Sequence, residues 1–237
     1  MGVQFVLGPA GSGKTEYIIK KLIDESMEHV DLNYLYIVPE QFSMEAQRDI
    51  VTRHPRHGSM NIDAIGLNRL AYRVFDELSM NPGQVLEDFG KSMLVKKILM
   101  DNKQDLLVYG SYMDKMGFVD EMKSMMSELF QYAVDREDID HAMENMDEDS
   151  STYRKLHDIR LIYEKFEDRN AKDSYIVAEQ LSELLADNVG RSRFLADSYL
   201  YFDGFTGFTP VQMKLVSKLM SHTRGVIFAF DIDADQI

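Results

Sequence analysis

Short apolar runs alternate with helically spaced apolar positions at both ends of the chain, whereas the middle shows helical spacing alone. Val3–Leu7 reads as a buried strand. Lys14–Glu28 reads as a helix with Tyr17, Ile18, Ile19, Leu22, Ile23 and Met27 along one side. Tyr34–Val38 reads as a second strand, stopped by Pro39. Ser43 is placed to N-cap a short helix ending near His54-Pro55. A brief strand around Asn61–Ala64 then leads into a helix carrying Leu67, Leu70, Ala71, Val74, Phe75 and Leu78. Strands alternating with helices predict a parallel sheet joined by right-handed crossovers.

The stretch of about residues 86–195 reads as wholly helical. Met116–Val134 is dense in Met and Leu, and Leu156, Ile159, Tyr163 and Phe166 step by three and four. Ile176, Val177, Leu181, Leu184 and Leu185 continue in the same way, with Asn188-Val189-Gly190 as the stop. Such stripes are packing surfaces. Tyr199–Phe202, closing on Asp203, is again a strand, Thr209–Met220 a helix and Val226–Phe230 another strand. The sheet begun at residue 3 is therefore expected to resume after a helical insertion. The expected organisation is 1–85, 86–195 and 196–237, with the last part looking cut from a longer chain.

The candidate chemistry lies between the first strand and the first helix. Gly8-Pro9-Ala10-Gly11-Ser12-Gly13-Lys14-Thr15 fits G-x-x-x-x-G-K-[ST] at every fixed position. Glycines at 8, 11 and 13 let the backbone, Ser12 included, turn its N–H groups toward phosphates at a helix N-terminus. Lys14 is placed to reach the β- and γ-phosphates, and the Thr15 hydroxyl to ligate Mg²⁺. ATP and Mg²⁺ are the expected cofactors, and the fold class becomes α/β of the P-loop NTPase, RecA-like kind, interrupted by an all-helical subdomain. Asp203, at a strand end, is the candidate second magnesium residue. Position 204, where hydrolysing enzymes carry a glutamate that orients the attacking water, is glycine. Binding is expected more firmly than turnover, and no catalytic residue is assigned.

Composition narrows the setting. The 237 residues are 45% hydrophobic and 28% charged, ordinary for a globular chain. No apolar run approaches the ~18 residues of a membrane span, and no signal peptide is evident, so no membrane is expected. The lack of cysteine excludes disulfides, zinc thiolates and iron–sulfur ligation within these residues, and fits a cytoplasmic location. A net charge of −14 argues against a broad basic coat for nucleic acid but leaves room for a local track.

These segments resemble superfamily 1 helicases in the form of the P-loop, in Val38-Pro39-Glu40-Gln41-Phe42 after a strand, and in Ile62–Ala71, where such helicases carry a DNA-contacting motif. Their D-E-x-Q-D pattern, followed by Pro and Gln, is eroded here. Asp203, Pro210 and Gln212 keep register, while Gly204, Thr206 and Gly207 replace Glu, Gln and Asp. An intact P-loop with this erosion is similar to AddB, the B-type component of bacterial AddAB helicase–nucleases. The resemblance implies an ATP-dependent helicase and exonuclease, a hydrolase acting in DNA repair and recombination at double-strand breaks. It also implies contact with single-stranded DNA and a heterodimeric partner, the A-type component, that drives translocation. The nuclease domain and iron–sulfur cluster of such proteins lie toward their far C-terminus, so these residues alone are expected to bind ATP with little hydrolysis and to have no nuclease site. Asn68, Arg69 and Arg73 are the candidate DNA contacts. Gln236 has loosely suitable spacing for a nucleotide-sensing glutamine, and Glu40 and Gln41 for a place in the nucleotide or DNA cleft.

Other readings stay open. Thr209-Pro210-Val211-Gln212 is equally a capping box with Pro at its first helical position. His54 and His57 flank Pro55-Arg56 in what reads as an exposed turn without metal-ligand spacing. Asp231, Asp233 and Asp235 imitate the start of a calcium loop, but the sixth position is Gln236 rather than glycine. A catalytically inert P-loop scaffold for DNA and a partner remains an alternative, and a small-molecule kinase a more distant one.

Overall fold

The computed structural model describes residues 2–113 and 115–232. In chain order the elements are β1 (Gly2–Gly8), α1 (Lys14–Glu28), β2 (Asn33–Ile37), α2 (Ser43–Arg53), β3 (Ile62–Ile65), α3 (Leu67–Glu77), β4 (Gln84–Leu86) and α4 (Asp88–Asp101). There follow α5 (Phe118–Gln131), α6 (Arg136–Met143), α7 (Ser151–Asp173), β5 (Tyr175–Val177), α8 (Ala178–Asn188), α9 (Arg193–Ala196), β6 (Ser198–Phe202), α10 (Pro210–His222) and β7 (Gly225–Asp231). The chain divides into two compact units, one taking residues up to 81 and from 182 onward, the other Pro82–Leu181.

The first unit is a five-stranded sheet in the order β1-β7-β6-β2-β3, parallel throughout. In-register pairing of Gly8 with Asp231 and of Ile37 with both Phe202 and Ile65 brings the C-terminal strand ends to one edge. In open parallel sheets that edge is where loops form ligand sites. On one face Ile18, Ile19, Leu22 and Ile23 of α1 share a core with Tyr34, Tyr36, Tyr201, Ile227 and Ala229. The alternate residues Leu35, Ile37, Leu200, Phe202, Val226 and Phe228 are buried as well, so both faces of the inner strands are covered, as a parallel sheet requires. Burying an aliphatic side chain of this size contributes roughly 1.5–3 kcal/mol.

Val3–Leu7, expected as a buried strand, lies in β1 at the edge of the sheet, where Val3, Phe5 and Leu7 are 40%, 57% and 42% exposed. Four further local expectations need correction. Tyr17 and Met27, expected on the apolar side of α1, are exposed, and Ser26 is buried instead, its hydroxyl satisfied by the Ile23 carbonyl. Ser43 begins α2 rather than capping it; the residue before the helix is Phe42, and the Ser43 hydroxyl donates back to Glu40 O at 2.8 Å. His54 is buried rather than exposed, its Nδ1 accepting the Arg56 N–H at 3.2 Å to close the end of α2.

The fourth of these concerns the middle of the chain, which is not wholly helical. α4–α7 pack around Val95, Leu99, Met122, Met126, Ile162 and Phe166. β4 and β5 add a parallel pair in register from Gln84↔Tyr175 to Leu86↔Val177. The helical period at Ile176 and Val177 belongs to a strand because Ser174 ends α7 in the left-handed region (φ 55°). Gly83, at φ 96°, lets the two strands start together, since a Cβ there would lie 2.6 Å from Ser174 O. The fully buried Asp158 accepts the N–H groups of Leu107, Val108 and Tyr109 at 2.7, 2.8 and 2.8 Å and anchors the loop after α4.

Candidate nucleotide-binding site

The turn after β1 has the backbone its glycines imply. Gly11 and Gly13 lie at φ 77° and 88°, where L-residues are strained, and a Cβ on Gly8 would sit 2.7 Å from the Ser12 hydroxyl. Gly13 is the residue before α1 and offers no side-chain cap, so the first N–H groups of α1 face outward with the positive end of the helix dipole. The Lys14 ammonium folds over this loop, donating to Gly8 O at 2.9 Å and Pro9 O at 2.8 Å, and pairs with Asp231 at 2.6 Å. The Lys14 side chain is 9% exposed and that of Asp231 68% exposed, so the carboxylate approaches from the solvent side. Ala10, Gly11, Gly13, Lys14, Thr15, Asp203 and Gly204 all line one open cleft of about 870 Å³.

Asp203 enters this cleft from the end of β6. It is 7% exposed and well satisfied: Tyr36 Oη donates to Oδ2 at 2.7 Å and the Gly204 N–H to Oδ1 at 2.9 Å. Its own N–H donates to Ile37 O at 3.0 Å, extending the β2–β6 ladder by one rung. Burial, then the Asp203 charge and the hydrogen bond to it, push the Tyr36 hydroxyl well above the usual tyrosine range, so it stays a neutral donor. Gly204 lies at φ 76°. Thr15 and Asp203 also share the wall of an adjoining cavity with Tyr36, so the hydroxyl and the carboxylate expected to hold a divalent cation lie around common space.

Besides Glu16, which directly follows the P-loop motif, Arg53 and Asp231 line this cleft without any signal in that motif. Arg53, in the last turn of α2, lines it between Glu16 at 3.7 Å and Asp49 at 3.9 Å. Asp231 is visible in the sequence only as part of an aspartate repeat. Its proximity to Lys14 depends on β1–β7 pairing, which local sequence does not encode.

A second cleft, of about 980 Å³, gathers Glu40, Gln41, Asn68, Gln212, Gly204 and Phe205. Glu40 Oε1 accepts the Asn68 N–H at 2.7 Å, and its carboxylate occupies the space a Cβ on Gly66 would need. The Thr209 hydroxyl accepts the Gln212 N–H at 3.3 Å, while Gln212 Oε1 accepts the Thr209 N–H at 3.1 Å, completing the capping box. Arg69 is exposed and does not line this cleft. Arg73 does not line it either: its guanidinium pairs with Asp63 and lies 4.3 Å from the centre of the Phe194 ring. Gln236, Asp233 and Asp235 lie outside the described residues. Among the described residues no group of three or more His, Cys, Asp or Glu could hold a metal, and no helix is long and apolar enough to cross a membrane.

A family model described as "ADDB, N-terminal" matches residues 5–237. The chain belongs to this AddB N-terminal family. It is 41% identical over all of its 237 residues to the B-type component of the ATP-dependent helicase/deoxyribonuclease of Lachnoclostridium phytofermentans, covering 21% of that protein. Proteins of the same description in Clostridium kluyveri and Alkaliphilus metalliredigens are 30% and 28% identical over 99% and 98% of the chain, which covers 20% of each. The chain thus spans about a fifth of the length of the relatives it matches. AddB-family membership and the parallel α/β sheet are the two expectations these findings establish.

Proposed function

We propose that this chain is the nucleotide-binding part of an AddB-type ATP-dependent helicase/deoxyribonuclease component, and that it binds Mg²⁺–ATP with little or no hydrolysis. The observation that carries the reading is the turn Gly8–Thr15 opening into one cleft with Asp203. Gly8, Gly11, Ser12 and Gly13 would cradle the phosphates through their backbone, and Lys14 would leave the exposed Asp231 for the β- and γ-phosphates. An ion pair with one solvent-exposed partner contributes ~1 kcal/mol or less, so a triphosphate can displace it. Thr15 and Asp203 would hold the cation, which would offset the negative charge of the β- and γ-phosphates. Gly204 has no group to orient or deprotonate water, which favours a static nucleotide that braces the fold while DNA and a partner are bound.

The wider role rests on the family. The full-length protein is proposed to act in the cytoplasm with an A-type helicase–nuclease partner at double-strand breaks, resecting DNA for recombination. Asn68, with Glu40 and Gln41 beside it, would contact single-stranded DNA from the second cleft. Arg69 would add an exposed cation nearby on α3, and Arg73 would contribute only after releasing Asp63.

The test is a titration of fluorescent ATP with Mg²⁺ into the full-length protein and its Lys14→Ala variant, followed by phosphate release under saturation. Saturable binding that is lost in the variant, with negligible turnover in the wild type, is expected. Equal affinity in both proteins would overturn the P-loop assignment, and robust turnover would overturn the static role.

A further inference from the structure

On a chain with 26 basic against 40 acidic residues, one groove of the Pro82–Leu181 unit runs against the balance. Lys97 of α4 and Lys165, Arg169 and Lys172 of α7 line a cleft of about 550 Å³. Two acids share it, Asp101 and Asp168, and Asp168 is already engaged by Arg136 at 2.8 Å. Lys165 and Arg169 have near neighbours of opposite charge, at 3.2 Å in Glu164 and 3.0 Å in Asp173. Lys97 and Lys172 are exposed and form no ion pair among the described residues. Cations gathered in this way raise the local positive potential and attract an anion.

The arrangement also has a length. Lys165, Arg169 and Lys172 occupy positions i, i+4 and i+7 of α7 and so share a face. At 1.5 Å per residue the row is about 10 Å long. One strand of a DNA duplex presents a charge about every 3.4 Å along the axis but winds as it rises, so consecutive phosphates lie farther apart than this and the row reaches about two of them. Among the described residues no aromatic side chain lines the groove on which a base could stack. Its polar reach is that of lysine and arginine, which serve phosphates as point charge and fork.

We propose that this α4–α7 groove is a contact for the phosphate backbone of DNA, independent of base sequence and additional to the clefts at the sheet edge. It rests on the reading of the full-length protein as acting on DNA. It gives the Pro82–Leu181 unit a part in positioning the nucleic acid, where phosphate contacts set register without reading sequence.

The experiment measures affinity of the full-length protein for two labelled DNAs of unrelated sequence, across salt from about 50 to 200 mM. The Lys97→Gln/Lys172→Gln variant is expected to bind both DNAs more weakly and by the same factor. Its plot of log K against log[salt] is expected to be shallower by about 2, the counterions of two lost phosphate contacts. Arg154→Gln/Lys155→Gln, which removes the same charge from exposed positions outside the groove, is expected to keep the wild-type slope. Thermal unfolding and Mg²⁺–ATP binding should be unchanged in both variants. A groove variant with the wild-type slope overturns the proposal, even if it loses a protein partner instead. So does a slope change that the control pair reproduces, or a loss confined to one DNA. Wild-type protein that binds neither DNA overturns the DNA reading itself, and the groove with it.

Discussion

Replacing Gly204 by alanine tests whether the residue beside Asp203 is held where the structure shows it. At φ 76° an L-residue sits in the left-handed region, which costs ~1–2 kcal/mol. Part of this is offset, because alanine also restricts the unfolded chain by ~0.4–1 kcal/mol. Space adds nothing: a Cβ at 204 would lie 3.5 Å from Pro39 Cδ, an ordinary contact. The net expectation is a loss of about 1 kcal/mol, which a urea dependence of about 2–3 kcal/mol/M turns into a midpoint lower by about 0.3–0.5 M. Gly204→Asn should lose less, since asparagine tolerates this region. Gly204→Glu should lose about as much as alanine. Far-UV circular dichroism follows the unfolding, and phosphate release reports activity. Gly204→Glu is expected to keep Mg²⁺–ATP binding without gaining turnover, because its carboxylate would start from a left-handed Cα. An alanine variant as stable as the wild type would refute the backbone argument. Turnover gained by the glutamate variant would refute its functional half.

Two anchors away from the proposed nucleotide cleft give further predictions. Asp158→Asn should destabilise the Pro82–Leu181 unit by about 2–3 kcal/mol, because an amide nitrogen would face a backbone N–H that now has a charged acceptor. Hydrogen exchange at Leu107, Val108 and Tyr109 reads this directly, and unchanged protection there would contradict it. Glu77 predicts a pH effect. Burial alone would raise its carboxyl, but the Ser192 hydroxyl and the N–H groups of Phe194 and Arg193 outweigh burial and hold its pKa below the ordinary glutamate value. A depressed folded pKa means stability that is present above the unfolded pKa of about 4.3 and is lost as pH falls through the folded one. Glu77→Gln should therefore flatten the acid side of the stability profile and leave its shape near neutrality unchanged, as urea midpoints between pH 3 and 7 would show.

What the sequence makes visible follows from how local each signal is. The P-loop and α1 are contiguous, and the helix spans the residues expected, Lys14–Glu28. The capping box at Thr209 and Gln212 lies within four residues and forms as its pattern requires. β5 reads as helix in the sequence because Ile176 and Val177 prolong the spacing of α7. What rules out a helix there is a partner strand some ninety residues earlier, together with a left-handed Ser174. The charged neighbours of the cleft are hidden for the same reason. Asp231 meets Lys14 across the sheet, and Arg53 reaches Glu16 from another helix. Residue types alone mark Arg69 and Arg73 as equivalent candidates; packing separates them, leaving Arg69 exposed and Arg73 engaged.

The eroded motif and the turn geometry support one another. A glutamate following Asp203 would need a backbone an L-residue can adopt, yet the chain here turns left-handed at once. That turn places the Gly204 N–H on Asp203 Oδ1, while Tyr36 takes Oδ2 from the other side. Losing the carboxylate at 204 thus coincides with a tighter hold on the carboxylate at 203. A hydrolytic site needs both acids and a mobile water between nucleotide and base. A site that keeps Lys14, Thr15 and a fixed Asp203 without that second acid is suited to retaining a nucleotide. The proposed division of labour, in which turnover belongs to a partner and this chain supplies a nucleotide-braced platform for DNA, rests on this pairing of a held Asp203 with a glycine at 204.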